Sequence, residues 1–172
     1  GAIGVVIGHE MTHGFDDQGR QYDKNGNLTD WWAKGDAERF NARAKVMVDF
    51  FNNIEVLPGL KANGELTLGE NLADHGGLNV SYLAFQHAMK ENPLGDIDGF
   101  TPEQRFFLAY ATVWAANIRD EEIRSRTKSD PHSLGEWRVN GALPHIQAWY
   151  DAFHITPESP MYIAPEKRVN IW

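Results

Sequence analysis

This sequence predicts a mainly α-helical fold with a few short strands, on three observations. Apolar residues recur at helical spacing through long stretches, proline and glycine cluster between those stretches, and the strand-like pieces are short and bounded by turn signals. With 172 residues, 42% hydrophobic content and 6 Trp, the chain can bury one sizeable core. No internal repeat, low-complexity tract or linker divides it.

Taken in order, residues near 1–14 form the first helix. Ala2-Ile3-Gly4-Val5-Val6-Ile7-Gly8 is apolar and lean, as suits a helix on the floor of a cleft, and Gly14 offers a stop. A polar, glycine-punctuated loop follows over 16–30. Its Asp23-Lys24-Asn25-Gly26-Asn27 resembles a calcium loop, but Leu28 and Lys34 stand where an EF-hand requires its sixth-position glycine and twelfth-position glutamate, so that reading is rejected. From Ala33 to Asn53, Phe40, Ala44, Val46, Met47, Phe50 and Phe51 recur at helical spacing. Pro58-Gly59 and Asn63-Gly64 are turn signals around a hairpin.

Thr67 and Gly69 then open a long helix carrying Leu72, Leu78, Val80, Tyr82, Leu83 and Phe85, interrupted or crowded near Gly76-Gly77. Asn92-Pro93-Leu94-Gly95 breaks it, and Thr101-Pro102-Glu103-Gln104 supplies a cap and a first-turn proline for the next helix, with Phe106, Phe107, Tyr110, Val113 and Trp114. Arg119 to Lys128 is charge-rich and reads as a solvated helix face. After Pro144, the set Ile146, Trp149, Tyr150 and Phe153 makes another amphipathic turn or two.

Two segments carry chemistry. In His9-Glu10-Met11-Thr12-His13 the histidines stand four apart, on one helix face, so both can reach one zinc ion. Glu10 then sits beside the metal without ligating it, placed to take a proton from a zinc-bound water. Burying two histidines and a glutamate in so apolar a helix is costly without a shared partner. A catalytic zinc needs a third protein ligand and one open position. Glu70 and Asp74 in Gly69-Glu70-Asn71-Leu72-Ala73-Asp74 also stand four apart, so one carboxylate can ligate while the other accepts the spare ring N–H of a ligating histidine. Read alone, this second pair would be an acidic first turn and a solvated neighbour.

Together the segments are more specific. His9 through Arg20, Leu28-Thr29-Asp30-Trp31-Trp32, and Gly69 through Leu78 closely resemble the neprilysin and endothelin-converting-enzyme family of zinc metallopeptidases. Asp130-Pro131-His132-Ser133 and Trp137-Arg138-Val139-Asn140-Gly141 resemble its late active-site segment, and Met161-Tyr162 through Trp172 its closing motif. The resemblance implies a zincin-type, thermolysin-like metallopeptidase catalytic subdomain binding one Zn2+ per chain. Carried over, the zinc ligands fall on His9, His13 and Glu70, the general base on Glu10, and the acidic residues behind the ligands on Asp16 and Asp74. His132 matches the histidine that stabilises the oxyanion, and Arg138 the arginine that binds a substrate carbonyl. Val5, Val6, Trp114 and Val139 match the apolar pocket for the residue after the scissile bond. Without the resemblance, His132 is a loop histidine, Arg138 a surface charge, and Val5, Val6 and Trp114 core candidates. His75 faces away from Glu70, and His87, His145 and His154 read as packing or surface residues.

Composition limits the partners. A net charge of −8 disfavours nucleic acid or an anionic membrane surface, and no apolar run approaches the roughly 18 residues of a transmembrane segment. The chain has no cysteine, hence neither disulfides nor a cysteine nucleophile, and no serine triad is visible. Cysteine usage separates it from the family's animal ectodomains. A bacterial-type member, extracytoplasmic, secreted or periplasmic, is the closer resemblance, with the cytoplasm left open. The expected function is zinc-dependent endopeptidase cleavage of short peptides on the amino side of bulky apolar residues. The expected domain is the C-terminal part of a longer catalytic domain, 1–172, lacking an upstream strand and helical domain. Ile3, Val5, Val6 and Ile7 would then be an exposed apolar surface inviting a dimer or a partner fragment. The alternative is a catalytically incomplete zinc-binding fragment that acts as a structural or association module.

Overall fold

The computed structural model describes residues 1–171; Trp172, the end of the closing motif, lies outside the described residues. Among them the α-helices are α1 (Ile3–Thr12), α2 (Asp36–Asn52), α3 (Leu68–Glu91), α4 (Pro102–Val113), α5 (Asp120–Ser129), α6 (Gly135–Asn140) and α7 (Gln147–Phe153). One antiparallel hairpin joins β1 (Glu55–Leu57) to β2 (Leu60–Lys61), turning at Gly59, whose φ of 75° is one that glycine adopts without strain. No described helix is long and apolar enough to cross a membrane.

Helix α3 is the spine of two hydrophobic cores. Leu78 joins Val5, Phe106, Phe107, Tyr110, Leu143, Ile146, Trp149 and Tyr150 in one. Leu72 joins Phe40, Ala44, Met47, Phe51, Ile54, Val169 and Ile171 in the other. Residues 71–78 are all buried, so Asp74 and His75 are carried into the seam between the cores by the apolar residues on either side of them.

Long helices pack this closely only where side chains are missing. A Cβ on Gly77 would lie 2.6 Å from the His9 backbone nitrogen, one on Gly8 2.9 Å from the Gly77 Cα, and one on Gly76 2.5 Å from Thr12 Cγ2. These contacts step backwards along α1 as they step forwards along α3, so the helices are antiparallel. Of the two alternatives at Gly76-Gly77, crowding is the one found, for α3 runs unbroken for 24 residues.

Gly14 does not stop α1 with a left-handed cap. The helix tightens instead into a 3-10 turn, His13–Phe15. The α4 cap is realised in full, with the Thr101 side chain accepting from the Gln104 N–H and the Gln104 side chain from the Thr101 N–H. The expected apolar surface of α1 needs correction at Val5, which is 2% exposed because it faces α3 and α4. Ile3, Ile7 and Met11, one helical turn apart, are the exposed stripe, 70%, 55% and 64% exposed. Val80 and Leu83 on α3 are likewise exposed instead of joining the core.

Candidate active site

The α1/α3 crossing sets His9 beside the carboxylates of α3. His9 donates from Nδ1 to Asp74 Oδ1 at 2.8 Å, and His13 donates from Nδ1 to Asp16 Oδ2 at 2.6 Å. Asp16 is itself held by the Gln18 and Gly19 backbone N–H groups on its other oxygen. With both Nδ1 atoms committed, each ring turns Nε2 inward. These two atoms are 3.0 Å apart, with His9 Nε2 3.2 Å from Glu70 Oε2 and His13 Nε2 3.5 Å from Glu70 Oε1.

Two imidazole nitrogens and a carboxylate converging in this way could hold a metal ion. Glu70 Oε2 is buried, faces His9 Nε2 at 3.2 Å, and belongs with His9 and His13 to a group of potential ligand atoms. Ligand atoms around a tetrahedral zinc with bonds near 2.0–2.1 Å are spaced about 3.4 Å apart, close to the separations here, so the residues fit zinc. The electrostatics agree. Burial would lower the His9 pKa, but the Asp74 and Glu70 carboxylates against its ring outweigh burial and raise it to about 9. Burial pushes the Glu70 carboxyl up, but His9, His132 and His13 together hold it below the usual range.

Three further elements close the site. Arg138 of α6 grips Asp74 with two bonds of 2.8 Å, from Nε to Oδ2 and from Nη2 to Oδ1, while its guanidinium lies 3.8 Å from the Trp114 ring centre. The Tyr110 hydroxyl donates to the Arg138 carbonyl at 2.7 Å, pinning α6 to α4. The loop after α5 is fixed by Ser133, which donates to Asn71 Oδ1 at 2.7 Å. That loop brings His132 Nε2 to 3.4 Å from Glu70 Oε1. His132 donates from Nδ1 to Asp130 Oδ1 at 2.7 Å. Beside these groups lies a cleft of ≈ 180 Å³ whose walls include Glu10, Val5, Val6, Tyr110, Val113 and Trp114.

A family model, Peptidase family M13, matches residues 1–169. The chain belongs to peptidase family M13. Among relatives of this M13 chain, neprilysin-2 of Drosophila melanogaster is 43% identical over all of the chain and 22% of its own length. Endothelin-converting enzyme 1 of Bos taurus is 42% identical, over all of the chain and 23% of its own length. The crystal structure of the zinc metalloprotease ZMP1 of Mycobacterium tuberculosis in complex with an inhibitor superposes with a TM-score of 0.95 at 41% identity, covering 99% of this chain and 27% of that one. The M13 chain thus spans about a quarter of the length of these relatives.

The structure of this M13 chain brings together His9, Glu10, His13, Asp16, Glu70, Asp74, His132 and Arg138, and lines the cleft with Val5, Val6 and Trp114. Val139 does not line it; it packs against the neighbouring core, while Arg138, one residue earlier on the short helix, faces the cleft. Arg138 is 6% exposed, not a surface charge. Tyr110 and Val113 are cleft residues that sequence reasoning assigned to core. Their i−4 and i−1 relation to Trp114 was the available signal. Asp130 was also missed, although an acid two residues before a site histidine could have marked it.

Proposed function

We propose that this chain is the catalytic portion of a zinc-dependent endopeptidase that cleaves short peptides on the amino side of bulky apolar residues. The convergence of His9, His13 and Glu70 beside Glu10 and His132 is the observation that carries the reading. Zinc held there would supply Lewis acidity, polarising the scissile carbonyl and making water acidic enough to be deprotonated near neutral pH. Glu10, exposed on the cleft wall one residue after a ligand, accepts the proton of the attacking water and returns it to the leaving amine. Asp74 and Asp16 keep the two ligating rings in the orientation that presents Nε2.

His132 can donate from Nε2 to the developing oxyanion when its ring is protonated, because Asp130 takes only the Nδ1 proton. Val5, Val6, Tyr110, Val113 and Trp114 receive the apolar side chain after the cut, and Arg138 binds a substrate carbonyl. The exposed stripe of Ile3, Ile7 and Met11 favours a second element of the proposal. The chain acts as the C-terminal part of a longer catalytic domain, whose upstream polypeptide covers that stripe. Alone it binds zinc but has little endopeptidase activity.

The test compares wild type with Glu10→Gln in the longer protein. Both should hold one zinc at His9, His13 and Glu70 by elemental analysis and crystallography, and only wild type should cleave. Zinc at other residues, or full activity in Glu10→Gln, would overturn the reading. Robust cleavage by a mass-verified, monodisperse 172-residue monomer would remove the need for upstream polypeptide.

A further inference from the structure

Helix α5 has no buried residue, opens with Asp120, Glu121 and Glu122, and carries Arg126 and Lys128 in its last turn, as a solvated helix would. Ile123, Arg126 and Thr127 are half-buried, and of these Arg126 is the charged one. Arg126 turns inward, its side chain 28% exposed, and donates from Nε to Asp130 Oδ2 at 2.8 Å. The other oxygen of Asp130 accepts from both the backbone N–H of His132, at 2.9 Å, and its ring Nδ1, at 2.7 Å. We infer that Arg126 is a positioning residue for the reaction, holding the Asp130 carboxylate that aims His132 into the cleft. This rests on the role proposed above for His132.

The His132 side chain is 44% exposed, so hydrogen bonds and not packing must fix its ring. The loop backbone is secured independently by Ser133 and Asn71. What remains free is the rotation of the Asp130 carboxyl and, through it, of the imidazole. A carboxylate bonded on one oxygen alone can swing about its Cβ–Cγ bond, whereas one bonded on both oxygens from opposite sides cannot. Arg126 supplies the second anchor. Partial burial would raise the Asp130 pKa, but the His132 backbone and ring and Arg126 bring it down to about 2, so the acceptor stays ionised wherever the enzyme works. An ion pair of this i, i+4 kind adds little stability, so removing Arg126 should leave the fold intact.

Arg126 also lines a cavity of ≈ 380 Å³ next to the cleft, shared with His132 and Arg138, where it could instead touch substrate. The experiment separates these roles in two measurements. The first takes kcat and KM of the longer zinc-loaded enzyme for wild type, Arg126→Ala, Asp130→Asn, the double variant and His132→Ala. The second follows exchange of the His132 Nδ1–H by NMR in the 15N-labelled, zinc-loaded 172-residue chain, with and without Arg126→Ala.

Arg126→Ala should lower kcat about two- to tenfold, the span expected of one hydrogen bond, with KM little changed. It should add nothing in the Asp130→Asn background, and the Nδ1–H should lose protection while circular dichroism stays unchanged. Wild-type kcat and protection in Arg126→Ala would overturn the inference. So would an equal loss in the Asp130→Asn background, or a raised KM for acidic peptides at constant kcat. Loss of turnover in His132→Ala with none in Arg126→Ala sinks this inference alone; full turnover in His132→Ala sinks the proposed role of His132 and the inference with it.

Discussion

His9, His75 and His145 are 7%, 4% and 5% exposed, yet they behave as opposites. His9 sits against Asp74 and Glu70 and is pushed up to about 9. His75 and His145 lie behind the site, where burial lowers them to about 4 and about 3, with no carboxylate to oppose it. Each of that second pair keeps a buried ring nitrogen without a hydrogen-bond partner, Nδ1 of His75 and Nε2 of His145. His145 Nδ1 accepts the Val169 N–H at 3.1 Å, a bond that requires the neutral ring. Similarly low exposure therefore goes with a raised imidazole pKa in one place and lowered ones in the other: His9 has carboxylates against its ring, whereas His75 and His145 have none and are more deeply desolvated.

The strongest way to break this contrast is to remove the carboxylate itself. Asp74→Ala leaves Arg138 buried without its bidentate partner and His9 without its Nδ1 acceptor. It should cost about 3–5 kcal/mol in urea denaturation, and zinc affinity should fall roughly 10–100-fold. Unchanged stability would show that the pair is dispensable.

His132→Ala probes the exposed histidine of the cleft group, whose proposed role is in the chemistry and not in the core. In the longer enzyme it should lower kcat by about 10²–10³, or roughly 2.7–4 kcal/mol of barrier, with denaturation unaffected. Comparable losses in kcat and stability would place His132 with the packing histidines instead.

The contrast also depends on how near α1 and α3 approach. Gly77→Ala puts a Cβ 2.6 Å from the His9 nitrogen and 2.7 Å from the Val5 carbonyl, both backbone atoms that cannot step aside singly. A loss of about 1–3 kcal/mol is expected, together with weaker zinc binding as His9 moves from Asp74. Stability loss with zinc affinity intact would separate the crossing from the metal site.

The smallest effect sharpens the comparison through pH. His75 and His145 have folded pKa values below the ordinary 6.5, so as pH falls beneath 6.5 the unfolded chain takes up protons first. Stability should decline from about pH 6.5 toward 4, by at most about 1.4 kcal/mol per pH unit for each histidine. His9 runs the other way in chelator-treated protein. Its contribution is full below 6.5 and is lost as pH rises through about 9. Urea midpoints across pH 4–10 check both limbs, and a His75→Asn, His145→Asn variant should lose the acid slope alone.

Local periodicity carried much of this structure. The 3.6-residue repeat and the Thr101-Pro102 cap determined most helices, because each rests on contacts within one or two turns. Four-residue spacing likewise put His9 with His13, and Glu70 with Asp74, on shared faces. Arg138 read as a surface charge because no local pattern tells a helix that it will be laid against Asp74, 64 residues away. The resemblance put both Arg138 and Val139 at the substrate, but only Arg138 faces the cleft, since which face of a six-residue helix points inward is set by Tyr110 and Trp114 on another element. The charge pattern of α5 did not reveal Arg126, since a charged side chain turned inward looks in sequence like its solvated neighbours.

By itself, then, the sequence determined the ligand types, their helical pairing and the glycines that permit the close crossing. Asp16 reaches His13 from three residues along the chain, but tertiary structure alone set Asp74 against His9 and left His75 and His145 without a carboxylate. That choice depends on side chains far apart in the chain meeting at the seam of two cores, where burial lowers an imidazole and only a negative charge within hydrogen-bonding reach raises it again.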